Sequence, residues 1–192
     1  MGVPLLRWPS SKSLLFLVTG FLVWTLSACS KNSTQFPTAE NGVLDLSTWD
    51  FRKSGSVPLK GQWYFQWSEL LSVGPLQQVQ DAKLGTIDVP SLWSTQKHPK
   101  LVDENLPGRG HATYVLQVLL PPGTRSQDLT ISTHAVGTAA NWNISTVDGT
   151  EILGQMNQGI ASTTPNGTLP VRVNASTSLG PSNASSIVIW LS

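Results

Sequence analysis

At 192 residues the chain has room for one domain with a sizeable core and would be cramped as two. Apolar residues make up 40% and charged residues only 12%, against roughly 25% charged in a usual soluble domain. The formal net charge is +1, and without Arg7 and Lys12 ten basic residues face eleven acidic ones, a net of −1 that leaves no electrostatic footprint for nucleic acid.

In chain order the first element is a leader. Arg7 and Lys12 precede the apolar run "LLFLVTGFLVWTLSA" (14–28), the basic-then-apolar layout of an export signal. That run is shorter than the ~20 residues needed to span a bilayer comfortably. The chain's one cysteine, Cys29, follows directly. "LSAC" (26–29) resembles the bacterial lipobox, in which the cysteine is lipidated and the leader (1–28) is removed ahead of it. The alternative is a signal peptide or an uncleaved leader with an incidental cysteine. Each layout predicts export to a bacterial envelope, and a lipid anchor at Cys29 or an uncleaved leader predicts attachment to a membrane, facing the periplasm or the exterior. Residues 29–41 then form a polar, aperiodic tether. No second cysteine is available for a disulfide, a metal site or catalysis.

The folded part is expected from 42 to 192. "VLDL" (43–46) and "TWDF" (48–51) alternate as short strands do. "QWYFQW" (62–67) predicts a third strand, with Trp63, Phe65 and Trp67 on one face as core and Tyr64 and Gln66 on the other. "SELL" (68–71) predicts one helical turn, and "TIDVP" (86–90) a short strand that Pro90 ends. The strongest strand signal is "ATYVLQVLLPPG" (112–123), whose second face is only partly polar, as in a strand covered on both sides. "DLTIST", "AANWNISTV", "LPVRV" and "SIVIWL" add further strands, and "VDGT" (147–150) carries the Asp-Gly signature of a tight hairpin turn. With no convincing helical period over any 12 residues, these runs predict an all-β sandwich or barrel. Ser192 follows the last apolar run with no closing turn, as it would in a chain truncated at its C-terminus. Loss of a closing strand would leave a sheet edge exposed.

The order "LDLSTWDF", "VPLKGQWYFQWSELL", "IDVPSLWS", "GRGHATYVLQVLLP" and "SSIVIWLS" resembles the extracytoplasmic sensor domain of bacterial seven-transmembrane receptors with diverse intracellular signalling modules. It is also similar to the N-terminal domain of family 2 glycoside hydrolases. The resemblance covers about residues 42–192 and implies a galactose-binding-like jelly roll with a sensory role. The family's Asn-Gly turn corresponds here to "VDGTEILGQ", and its closing Gly-rich segment is not seen.

Nothing in the sequence assembles a catalytic site or calls for a cofactor. His98, His111 and His134 are scattered, none at metal-ligating helical spacing, and no nucleophile elbow, phosphate loop or EF-hand pattern occurs. A binding site fits better, because flat aromatic faces suit sugar rings while polar neighbours bond the hydroxyls. The candidates are Trp93 in "SLWSTQKHP", Arg109 and His111 in "GRGHA", and Trp142 with Asn143 in "NWN". Against them stand plainer roles: a packing anchor for Trp93, a solvated turn for Arg109 and His111, burial for Trp142. The residues thus predict a non-catalytic module for a small molecule or glycan. The rival is a structural β-sandwich lipoprotein that docks on an envelope protein. Five Asn-x-Ser/Thr triplets are expected by chance in a chain so rich in these residues.

Overall fold

A computed structural model describes residues 35–98 and 104–192; the leader, Cys29 and the first part of the tether, to residue 34, lie outside the described residues. The chain is an all-β protein. Its strands are β1 (Val43–Asp45), β2 (Gly61–Trp67), β3 (Gly85–Val89), β4 (Ala112–Leu119), β5 (Thr130–Thr133), β6 (Ala140–Thr146), β7 (Ile152–Ile160), β8 (Leu169–Pro170), β9 (Ala175–Ser178) and β10 (Ser186–Leu191). Among the described residues two short helices accompany them, α1 (Phe51–Ser54) and α2 (Leu76–Asp81). None of the described helices is long and apolar enough to cross a membrane.

The main sheet runs β3-β2-β4-β10-β6-β7-β8, antiparallel throughout, while β5 and β9 form a separate antiparallel pair. One edge of β4 is shared. Its first half pairs with β2 and its second half with β1, which runs parallel to it. The handover is made by Gly42, whose N–H donates to the Gln62 carbonyl and whose carbonyl accepts from Gln117 N–H. Gly42 has φ +77°, and a Cβ there would lie 2.2 Å from the Tyr64 ring, so both conformation and space call for glycine.

"SIVIWL" explains the centre of the sheet. β10 lies between β4 and β6, and its residues from Ser186 to Trp190 are all buried because both of its faces are covered. Both of its edges are paired, and Ser192 and Asn141 exchange two backbone hydrogen bonds beyond it. On one face Leu116, Ile144, Ile187, Ile189, Trp63 and Trp142 pack beneath β5–β9 and the segment around Leu44, Leu46 and Phe51. On the other face α2 sets Leu76 and Val79, three residues apart, against Val115, Val188 and Trp190. The doubly apolar β4 has the two-sided cover its sequence implies.

Three local expectations are corrected. "TWDF" does not extend as a strand: Asp50 caps α1 by accepting from the N–H groups of Arg52 and Lys53, and Gly55 ends it at φ +74°. "SELL" makes no helical turn, because Thr113 reaches across to bond both Leu71 N–H and Glu69 carbonyl and keeps the segment irregular; the helix comes later, at α2. "LPVRV" contributes only the two residues of β8. The first contacts also precede Gly42, since Phe36 packs on Trp49 and Ala39 bridges Gly61. Trp63, Phe65 and Trp67 do share a face, but only Trp63 joins the main core; Phe65 packs with Ile87, Leu106 and Ala112, with Trp67 and Trp93 against it. The Trp63 indole N–H is buried and has no hydrogen-bond partner among the described residues.

Candidate functional site

The strands arrange the molecule into two ends. Gly61, Leu119, Ser186, Thr146 and Ile152 lie at the end where the chain enters beside Ala39; Trp67, Ala112, Leu191, Ala140 and Ile160 lie at the far end. The five residues singled out from the sequence do not converge on one spot.

Trp93, in a short 3₁₀ turn (Trp93–Thr95), sits at the far end. It packs edge-on to Trp67 with centroids 4.8 Å apart, and its indole N–H donates to the Tyr114 hydroxyl. Burial pushes the Tyr114 hydroxyl above its usual pKa, and the bond from Trp93 offsets part of that rise. The ring is half-buried and fixes the Trp93–Thr95 turn to β4. Gly110 explains the fit: a Cβ there would stand 2.3 Å from the Trp67 ring. Arg109, next to it, is exposed. His111 is half-buried, and its carbonyl accepts from Ser68 N–H.

Trp142 is a core residue, 8% exposed, with its N–H bonded to Gln158 Oε1 at 3.3 Å. Gln158 is itself fully buried and donates to the carbonyls of His134 and Val173, closing a three-way polar joint inside the sandwich. Asn143 points to the other face, where its Oδ1 accepts from Gln155 at 2.7 Å. No group of three or more His, Cys, Asp or Glu among the described residues could hold a metal ion.

A concavity lies elsewhere. At the entry end α2, the β6–β7 turn and the start of β10 enclose an open groove of about 760 Å³, lined among others by Leu76, Gln80, Gln117, Asp148, Glu151 and Ser186. Its walls are locked together. Leu76 N–H donates to the Val147 carbonyl at 2.9 Å. Gly149, at φ +71°, lets the turn approach so closely that a Cβ would stand 2.4 Å from the Gly74 backbone. The floor is set by Gln117, whose amide donates to Ser186 Oγ at 3.1 Å. Asp148 holds the turn by accepting from the Thr146 hydroxyl and the Thr150 N–H, and these bonds keep its carboxyl below the usual range.

Sequence reasoning found the "VDGT" turn but not the groove. Its residues come from segments spread between 75 and 186, and Gln, Ser and Thr have no distinctive spacing. Compared with known proteins, the chain matches no family model, no curated protein and no solved structure.

Proposed function

We propose that this chain is a non-catalytic binding domain of the galactose-binding-like jelly-roll type, exported and held at the membrane of a bacterial envelope through Cys29 or the leader. It takes a small hydroxylated molecule or sugar in the groove between α2 and the β6–β7 turn and serves a sensory protein, or is a relic of one. The observation that carries this reading is the groove itself. Its volume of about 760 Å³ falls within the ~300–1,000 Å³ usual for small-ligand sites, and it joins apolar Leu76 to amides, hydroxyls and carboxylates. The crossed strand order, with β10 between β4 and β6, supports the jelly-roll assignment.

Thermal unfolding of the full chain across a panel of sugars and small polar metabolites tests it. Saturable stabilisation is expected for at least one ligand, and Gln80→Ala with Gln117→Ala should weaken it. A flat response across the panel overturns the reading. For the membrane tether, Cys29→Ser should abolish lipid labelling, and labelling that persists refutes lipidation at Cys29.

A second reading, an interaction module, is favoured by Ile160, Leu169, Val171 and Val173, each 44–57% exposed around the β7–β8 end of the main sheet. Under it, Leu169→Lys with Val171→Lys releases a co-purifying envelope protein and leaves stability unchanged.

A further inference from the structure

We propose that the groove beside α2 selects a ligand bearing a primary ammonium group, an amine-carrying polyol of the amino-sugar kind, over neutral and anionic analogues. The inference rests on reading the groove as the binding site and adds the ligand's charge. It follows from a census of the hydrogen-bonding atoms left over in the lining.

Gln117 donates its amide to Ser186, which leaves Gln117 Oε1 as an acceptor. Thr146 and Thr150 both bond the Asp148 carboxylate, which has no ion-pair partner among the described residues. Glu151 donates only its backbone N–H, to Thr146 Oγ1, and its carboxylate takes part in no hydrogen bond or ion pair among the described residues. Gln80 alone offers a free side-chain amide with both donor and acceptor. Among the described residues no Lys, Arg or His lines the groove. The two described ion pairs, Lys53–Asp50 and Arg125–Asp128, involve none of its residues. The lining is therefore rich in acceptors and carries two exposed carboxylates, Asp148 and Glu151, with no ion-pair partner among the described residues.

An ammonium group has three donors and no acceptor, and so complements this set; a phosphate or carboxylate would meet like charge and few donors. A neutral sugar satisfies the amides and leaves the carboxylates unanswered. Pro75, Leu76 and Val147 supply the apolar contact for the carbon skeleton.

The test compares glucosamine, N-acetylglucosamine and glucose, which differ in the charge at one carbon, by calorimetric titration and thermal shift of the full chain. Glucosamine is expected to bind at least about fivefold more tightly than either neutral sugar, and to lose that advantage as salt rises from 50 to 500 mM. Glu151→Gln should reduce glucosamine affinity about fivefold and leave glucose affinity unchanged, while Glu104→Gln, at an exposed carboxylate outside the groove, should change neither. Equal binding of all three sugars overturns the charge inference and leaves the groove reading standing. Preference for glucosamine that Glu151→Gln does not touch also overturns it. Absence of binding by any of the three, together with a flat response across the wider panel, overturns both.

Discussion

Gly42 and Gly55 share one backbone conformation, φ +77° and +74°, but not one environment. A Cβ at Gly42 would enter the Tyr64 ring, whereas nothing stands within 4 Å of one at Gly55. Gly55→Ala should cost about 1 kcal/mol, the strain of a left-handed alanine. Gly42→Ala should cost about 3 kcal/mol, because overpacking adds to strain at the junction of β1, β2 and β4. Urea midpoints of the two variants measure the difference, and equal losses would refute the close approach. Gln158 invites a second comparison. Gln158→Leu keeps the volume but leaves the Trp142 N–H and the carbonyls of His134 and Val173 without their partner, a loss of about 3 kcal/mol. Three exposed carboxylates set a pH dependence. Asp45, Asp50 and Asp148 are each held below the usual value by hydrogen bonds from Ser47, Lys53 and Thr146, respectively. As pH falls the unfolded chain takes up protons first, near 3.9, so their stabilisation is complete above that value and is lost as pH drops through the lower folded values. Urea midpoints should therefore fall below about pH 4, and Asp148→Asn should flatten part of that fall.

At the scale of elements, burial decided what could be read from the sequence. β4 and β10 are covered on both faces, so their apolar runs stand out, and the strand reading of "QWYFQW" placed Trp63 and Phe65 inside. β7 gave no such signal. Its register shifts between Ile144 and Ser145 of its partner, so buried Leu153 and Met156 stand three apart, and the next inward residue is the polar Gln158. β9 is Ala-Ser-Thr-Ser and takes its strand state from β5 and the core below it. Alternation in "TWDF" lost to the Asp50 cap. Of the site, the hairpin turn was legible, whereas its closure against α2 depends on contacts between residues some 75 positions apart. That closure is testable through Gly149→Ala, which must push the turn from the Gly74 backbone. Lower stability and weaker ligand stabilisation are expected together. Unchanged stability would mean the two walls are not in such contact.

For the whole molecule, the strand order makes β4 and β10 the part that opens last. Native-state hydrogen exchange should find the amides of Val188 and Ile189 among the slowest and those around β8 and β9 among the fastest, since β8 has two residues and an outer edge without a described partner. Ile189→Ala, at a fully buried site, should cost about 3 kcal/mol and lower slow and global protection alike. A β10 that exchanges as fast as β9 would contradict the order.

The position of β10 also fixes a sequence of events in time. A growing polypeptide releases β1 to β9 from the ribosome before residues 186–191, yet β4 and β6 are joined in the sheet only through that strand. Until it emerges, β4 and β6 lack the strand that pairs with both, and the groove lacks Ser186. Assembly is thus deferred until after residue 191 is made. Under the export proposed above, such a delay would suit a translocation channel, which takes chains that have not yet folded.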